Sequence, residues 1–446
     1  MSTAPRRFHV ETLGCPKNAV DSDKVVASLL ADGLVAAASA ADADIVVVNT
    51  CAFIEAARQE SIDTVLALAD LKPADAKLVV TGCLAERYGS ELADALPEVD
   101  AVVGFAGEGS LAGAVGMVAP VTLRGRPTGV RDLLELPRPA PSAPWAYVKI
   151  AEGCDRACAF CAIPSFRGKQ RSRTTESIVA EARVLVEQGV AELVLVAQDL
   201  AWYGRDAGEV DALTTLLRSL EHLAGDGLAR VRLLYLYPSE ARDPLVATML
   251  ASEVVVPYFD LSLQHAAPGL LRSMKRWGSG ERFVGLIEAI RADRPDATFR
   301  SSFISGFPGE TEADHEGLLE FLRIAQLDWA GFFAYSREEG TAAADLDGEI
   351  RVETLRERLA ELAAVQEPIT GAARAALVGS TIEVLVDEIV EEVAIGRSHR
   401  EAPEIDGIVR IADLDDARPG AIVRVVVTDV EGPDLDAAAV VAPVAR

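Results

Sequence analysis

Between residues 6 and 105 the chain repeats one pattern three times: an apolar run of strand length, a short turn carrying a cysteine, then a segment of helical periodicity. A strand predicted over 8–12 leads into Leu13-Gly14-Cys15 and a helix over 21–30. One over 44–49 leads into Thr50-Cys51 and a helix over 55–69. One over 77–80 leads into Thr81-Gly82-Cys83 and a helix over 86–95. Strands that alternate with helices predict a parallel sheet, and unbroken apolar strands are those buried on both faces. A fourth short strand, 101–103, is expected to close the unit. In an open parallel sheet the carboxyl ends of the strands face one crevice, so Cys15, Cys51 and Cys83 should meet there. One buried cysteine is ordinarily an inert small apolar residue. Three at equivalent positions of consecutive units predict a three-thiolate site. Gly14 and Gly82, each directly before its cysteine, supply tight turns at low cost.

A second triplet, Cys154, Cys158 and Cys161, follows an apolar strand at 145–150, within the stretch EGCDRACAFCAIPSFRGKQRSR from Glu152 to Arg173. Thiolates are soft ligands that suit iron–sulfur clusters or zinc. Zinc needs a fourth nearby cysteine or histidine, yet no histidine lies between His9 and His222, and the other cysteines stand far upstream. The ligand count points instead to a 4Fe–4S cluster held at three corners. Clusters that only carry electrons are normally closed by four ligands. One with an open iron can bind the amino and carboxylate groups of S-adenosylmethionine and pass it an electron. A cluster on Cys15, Cys51 and Cys83 would leave one iron open in the same way.

Beyond the second triplet the alternation resumes. Strands are predicted at 147–150, 193–197, 231–236, 258–263, 298–304 and 331–335, with helices between them, for example at 175–188, 280–292 and 311–324. Six such units are too few for a closed eight-fold barrel and fit a six-stranded partial one. Its functional rim, at the carboxyl ends of the strands, would carry Gln198-Asp199, Tyr237-Pro238-Ser239, Gln264-His265 and the stretch from Gly306 to Glu310, with the cluster loop opening onto it. His265 is a proton donor, a substrate contact or a hydrogen-bonded rim histidine. Gly306 and Gly309 either admit a ligand to the backbone or shape a turn. The basic run from Arg167 to Arg173 is expected to grip substrate, ahead of lying as a solvated loop. Upstream, residues 104–109 lack the spacing of a phosphate loop and read as a turn. Residues 124–144, rich in Pro, Arg and Gly, read as a linker. Downstream, a helical stretch over 351–377 leads to five short strands at 381–386, 392–397, 407–411, 422–428 and 437–441, a small barrel of oligonucleotide-binding type.

Charge bears on what that last barrel meets. The chain carries 69 acidic against 43 basic residues, a net charge of −26, and residues 377–446 hold 15 acids against 6 bases. Phosphates reward Lys and Arg, so a nucleic-acid grip is disfavoured and a basic protein partner favoured. Apolar runs such as 45–48 are too short to span a membrane. The opening MSTAPRRFHVETLG lacks the apolar core of a signal peptide, so a cytoplasmic protein is expected. Six cysteines are too few for a disulfide scaffold in 446 residues, and thiolate ligands suit a reducing compartment.

Over essentially its full length the chain resembles the methylthiotransferases, radical S-adenosylmethionine (SAM) enzymes of three domains. The marks are LGC (13–15), NTC (49–51), TGC (81–83), the EGC-x3-C-x2-C loop and GFPGET (306–311). Within the family, LGCPKN (13–18), AIPSFRGKQRSR (162–173), LQHA (263–266), MKR (274–276), YSREEGT (335–341) and APEIDG (402–407) resemble the members that modify a ribosomal protein more than those that modify tRNA.

The resemblance implies an α/β chain in three parts. These are a parallel-sheet domain over 5–118, a partial (β/α)6 barrel of radical-SAM type over 136–375, and a small five-stranded TRAM or OB-like barrel over 376–446. It also implies two 4Fe–4S clusters. The cluster on Cys154, Cys158 and Cys161 would reduce SAM to methionine and a 5′-deoxyadenosyl radical, which takes hydrogen from the β-carbon of an aspartate in the small-subunit ribosomal protein uS12. No acid or base can activate such a C–H bond, so the cofactor must supply the reactivity. The cluster on Cys15, Cys51 and Cys83 would hold the sulfur, methylated by a second SAM, that is added to that carbon. Phe160 is the expected contact to the adenine, with Gln198 and Gln264 as further cofactor contacts. The implied partners are uS12, free or on the ribosome, and an electron donor. Two other readings stay open: the same chemistry on a modified adenosine in tRNA, and a non-catalytic iron–sulfur carrier or RNA-docking adaptor with closed clusters.

Overall fold

The three strand–cysteine–helix units are neighbours in one parallel sheet. The computed structural model describes residues 5–105, 107, 111, 121–123 (backbone alone), 134, 136, 138–412, 414 and 418–440. Strands β1 (Arg7–Thr12), β2 (Val35–Ala36), β3 (Ile45–Thr50), β4 (Lys77–Gly82), β5 (Ala101–Val103) and β6 (Val121–Leu123) run in the order β2-β1-β3-β4-β5-β6, all parallel. Residues 101–103 therefore do not close the unit: β6 pairs along their outer edge, and β2 flanks β1 on the other side. Neither flanking strand is long enough to leave a pattern in the sequence. All six residues of β3 are buried, with Val46 and Val48 in one apolar core and Ile45 and Val47 in another, because helices cover both faces. Helices α1 (Pro16–Ala31), α2 (Glu55–Leu71) and α3 (Cys83–Ala95) follow β1, β3 and β4. Two of them start earlier than predicted, at the cysteines themselves. Cys15 is the N-cap of α1, with Pro16 at the first helical position where its missing N–H costs nothing, and Cys83 opens α3. The turn expected at 104–109 is present where described, with Gly107 N–H donating to the Gly104 carbonyl at 2.8 Å. Its residues 106, 108 and 109, and the linker over 124–133, lie outside the described residues.

All six predicted strands of the central unit form. β7 (Trp145–Lys149) is followed by the small antiparallel pair β8 (Ala151–Glu152) and β9 (Arg171–Ser172), with the short α4 (Ile163–Arg167) between them. Then come β10 (Glu192–Val196), β11 (Arg230–Leu233), β12 (Tyr258–Gln264), β13 (Thr298–Ser305) and β14 (Trp329–Ala334). β7-β10-β11 and β12-β13-β14 are parallel sheets, joined by parallel bridges from Val231 to Val255 and from Leu236 to Leu261. The helices outside are α5 (Thr175–Glu187), α6 (Ala212–Glu221), α7 (Leu245–Ala251), α8 (Pro268–Ser273), α9 (Gly280–Asp293), α10 (Glu312–Ala325) and α11 (Val352–Ala375). Successive strand residues point to opposite faces. Val148, Leu193, Leu195, Phe259, Phe299 and Phe303 accordingly pack on the helices, while Tyr147, Val194, Val196, Leu234 and Tyr258 fill the inside of the arc. Thr311, the last residue of GFPGET, caps α10 in a reciprocal pair with Asp314.

β15 (Thr381–Val390), β16 (Val393–Arg397), β17 (Val409–Ala412), β18 (Ile422–Glu431) and β19 (Asp434–Ala439) close a barrel in the order β15-β16-β17-β19-β18. The predicted end of the last strand, Val441, lies outside the described residues. The connection from β16 to β17 carries APEIDG and enters the amino end of the partial barrel. There Ala402 packs with Tyr147, Tyr258 and Trp329. The Tyr258 hydroxyl donates to Asp406 at 2.6 Å, and Trp329 Nε1 donates to the Arg400 carbonyl at 2.8 Å. Beside it, buried Glu192 accepts from Arg232 at 2.7 Å and from Arg397 at 2.8 Å. Against a burial that would raise it, those two cations hold the Glu192 carboxyl down at about 2. The last barrel thus plugs the end of the arc opposite the rim. Among the described residues no helix is long and apolar enough to cross a membrane.

Candidate functional site

The turns that carry Cys15, Cys51 and Cys83 touch one another. A Cβ built on Gly14 would lie 2.8 Å from Cys51 Cβ and 3.0 Å from its Sγ. Gly82 has φ +87°, and a Cβ there would lie 2.3 Å from Asn49 Oδ1, so the turn that delivers Cys83 excludes any side chain. Asn18 of α1 serves all three turns. Its amide donates to the Leu13 carbonyl at 2.9 Å and the Thr50 carbonyl at 3.1 Å, and its Oδ1 lies 3.8 Å from Cys83 Sγ. The Ser61 hydroxyl both accepts from the Cys51 N–H and donates to its carbonyl, at 3.0 Å each. The three thiols differ in electrostatic setting. Burial raises Cys51, and raises Cys83 to about 12 despite Arg167. Cys15, only partly buried, is held below its ordinary value by Lys17 and Arg167, against a desolvation that would raise it. A thiolate at Cys15 would in turn raise both other cysteines, so the sulfurs sit within reach of one another's charge.

The second triplet sits in a loop closed by the β8–β9 pair. Gly153 has φ +78°, and a Cβ on it would meet the Lys169 carbonyl oxygen at 2.2 Å, while the Cys154 N–H donates to the Gly168 carbonyl at 3.1 Å. Cys154 Sγ accepts from the Arg156 N–H at 3.4 Å, and Cys158 Sγ from Arg276 at 3.5 Å. Arg276 of the MKR motif also lies over the Tyr237 ring, 3.9 Å from its centroid. Burial raises Cys154 to about 11 and Cys161 to about 12, so these thiols hold their protons until a metal displaces them. The Ala159 N–H donates to the Met274 carbonyl at 2.9 Å, and the Ala159 carbonyl accepts from Ala343 N–H at 2.8 Å, stitching the loop to the segments that follow β12 and β14.

Phe160 is half-buried in an apolar cluster with Met274, Phe307 and Ala343. Gln198 donates through Nε2 to Glu152 Oε1 at 2.8 Å, and its Oε1 is buried with no hydrogen-bond partner among the described residues. Gln264 ends β12 in the left-handed region at φ +72°, an uncommon conformation for a side chain of its size. All three stand at the rim or beside the cluster loop. Three other expectations change. His265 is fully buried, its Nδ1 accepts from the Ala267 N–H at 3.0 Å, and burial pushes its pKa down to about 4. Its burial and its bond to the Ala267 N–H fit the hydrogen-bonded alternative. The Gly306 N–H donates to Glu310 at 2.5 Å and a Cβ there would lie 2.8 Å from Leu355, so its turn and packing account for it. The basic run is split: Lys169 and Arg171 are exposed, but Arg167 and Arg173 turn inward onto acidic partners.

The sequence reading missed the buried network that lies between the triads. Arg167 donates to Cys83 Sγ, Asn18, Asp21 and Glu152, and Lys149 pairs with Asp21 and Glu152. Glu338 of YSREEGT binds Arg58 and, at 2.7 Å, Arg87, tying the first sheet unit to the partial barrel. Both arginine-bearing motifs stood in the sequence, but pairings between side chains 84 and 251 positions apart leave no local pattern. Among the described residues no three His, Cys, Asp or Glu side chains close around a single ion. A 4Fe–4S cluster spreads its thiolates over separate irons, and two sets of three thiols, each among N–H donors, fit that demand.

Known families match part by part. The Radical SAM superfamily matches residues 148–322, the TRAM domain 378–440, and the uncharacterized protein family UPF0004 residues 7–104. Fold and site together define a radical SAM enzyme. The similarity extends to whole chains: the ribosomal protein uS12 methylthiotransferase RimO of Cutibacterium acnes is 42% identical, over 96% of this chain and 96% of its own. That of Streptomyces griseus is 41% identical, over 96% and 97%. The chain belongs to the RimO family of radical SAM methylthiotransferases. Among solved structures, the radical SAM methyltransferase TsrM of Kitasatospora setae, with cobalamin and a [4Fe–4S] cluster bound, shares the fold at a TM-score of 0.55 and 15% identity, covering 76% of this chain and 74% of that one.

Proposed function

We propose that the chain methylthiolates ribosomal protein uS12 at the β-carbon of an aspartate, with two 4Fe–4S clusters and two molecules of SAM per product. The observation that carries this reading is the presence of two separate cysteine triads, each without a fourth cysteine or histidine ligand among the described residues. The family relationship supports the substrate, and the net charge of −26 suits a basic protein. Cys154, Cys158 and Cys161 hold the cluster that binds SAM, and Cys15, Cys51 and Cys83 hold the other. When bound, the first of these with SAM supplies a radical able to take hydrogen from an unactivated carbon.

The chain's own groups prepare that site. Arg156 and Arg276 direct N–H groups at the second triplet, Phe160 offers an apolar face to the adenine, and the free Oε1 of Gln198 and the side chain of Gln264 offer polar contacts to the cofactor. The working units are the sheet domain over 5–118, whose end lies outside the described residues, the partial barrel over 136–375 and the closing barrel over 376–446. The cytoplasm, where ribosomal proteins are made, is the place of action. Single cysteine variants test the division of labour. Cys154→Ala should abolish deoxyadenosine formation and keep the amino-terminal cluster, whereas Cys51→Ala should still form deoxyadenosine without adding the methylthio group. Product at the normal rate from Cys51→Ala would contradict the role of the first triad.

A further inference from the structure

Arg167 ends α4 with 9% of its surface exposed, and its two terminal nitrogens both reach Asp21, at 3.3 and 3.4 Å, but otherwise divide their partners. Nη1 donates to Glu152 at 2.8 Å and reaches Asp21 at 3.3 Å. Nη2 donates to Asn18 Oδ1 at 2.7 Å and to Cys83 Sγ at 3.2 Å. The ring of Phe105 covers the guanidinium, 4.6 Å from its centroid. Ion pairing alone does not call for the sulfur contact. Asp21 and Glu152 already balance the charges of Arg167 and Lys149, two anions against two cations, so the group is neutral as a whole. What remains is a directed N–H aimed at a cysteine sulfur in a buried site, where a hydrogen bond acts with little screening.

We infer that Arg167 raises the reduction potential of the amino-terminal cluster by donating a hydrogen bond to its Cys83 ligand, an inference that rests on the two-cluster reading above. Hydrogen bonds to ligand sulfurs are among the levers that set the potential of an iron–sulfur cluster, because they draw charge from the thiolate and favour the reduced state. Arg167 lies six positions after Cys161, and its partner Glu152 lies two before Cys154. One guanidinium therefore links the ligand of one cluster to the loop that holds the other. It acts through these groups as a positioning residue.

The test is a potentiometric titration followed by electron paramagnetic resonance on full-length protein. Cys154, Cys158 and Cys161 are replaced by Ala so that the signal comes from the amino-terminal cluster alone. Arg167→Met should shift the midpoint to a more negative potential. Arg167→Lys should shift it in the same direction by less, since a single ammonium replaces the two-nitrogen fork that spans Glu152 and Cys83. In the complementary protein, with Cys15, Cys51 and Cys83 replaced by Ala, Arg167→Met should leave the potential of the remaining cluster unmoved. An unshifted midpoint in Arg167→Met overturns the inference and leaves the two-cluster reading standing. Should that variant fail to hold its cluster, an unshifted midpoint in Arg167→Lys overturns it equally. If the protein with Arg167 intact and only the first triad present binds no cluster, the two-cluster reading itself fails.

Discussion

Gly82 delivers Cys83 into the first triad through a left-handed turn pressed against the Asn49 amide. Gly82→Ala should cost about 1–3 kcal/mol in backbone strain, and it should lose the iron of the first cluster while retaining that of the second, as read by iron analysis of cysteine-variant backgrounds. His265 gives the clearest pH dependence. Burial holds its pKa near 4 against an ordinary 6.5. The unfolded chain therefore takes up a proton over that interval while the folded one does not, and stability present above pH 6.5 is lost as pH falls toward 4, by on the order of 3 kcal/mol. In His265→Asn the amide oxygen can still accept the Ala267 N–H, so thermal melts from pH 7 to 4.5 should show a shallower decline than the wild type. An equally steep decline would assign the acid sensitivity elsewhere. The two cysteine triads stood out in the sequence because their spacing is local in one and repeats with the fold in the other. Asn18 and Arg167 were visible only as letters of motifs, because their partners come from turns brought together by the sheet.

Strands and helices that bury a full face announced themselves: all six strands of the partial barrel and the first four of the closing barrel overlap their predicted spans closely, while the fifth starts three residues earlier than predicted, at Asp434. The two- and three-residue edge strands β2 and β6 did not, since their pairing comes from the neighbouring backbone and not from side-chain alternation. The contact between the two barrels was equally hidden. APEIDG reads as a loop, yet it packs inside the arc, and the charges beside it form a closed group around Glu192. Removing one member of such a group strands buried cations. Glu192→Leu should therefore lower stability by about 3–5 kcal/mol in urea unfolding, with Arg232 losing its carboxylate partner and Arg397 keeping only Asp387; a loss below 1 kcal/mol would show that the barrels are held together without it. At the rim end, Glu338 clamps the first sheet unit through Arg58 and Arg87. Glu338→Ala should leave deoxyadenosine formation running while methylthiolated product falls, because each triad stays intact but their alignment loosens. Equal loss of both would place Glu338 within the radical-forming site itself.

For the whole molecule, the sheet unit and the closing barrel approach the partial barrel from different sides. The first contributes Val20 and Ala19 of α1 to the inner cluster, and the second contributes Ala402. The rim is thereby left for the cluster loop and the polar network of Arg167. The acidic balance of the closing barrel was read directly from its composition and its five-stranded barrel form from its pattern, whereas its strand order needed the structure. Its position at the amino end of the arc needed the structure, since docking surfaces carry no periodicity. The most direct measurement is anaerobic. The protein is reconstituted with iron and sulfide, then supplied with reductant, SAM and purified uS12, and the aspartate-containing peptide is weighed by mass spectrometry. Replacement of one hydrogen by one methylthio group is the expected result. Deoxyadenosine with an unchanged peptide mass would contradict the substrate and return attention to tRNA, and no deoxyadenosine from protein with both clusters intact would contradict the radical chemistry.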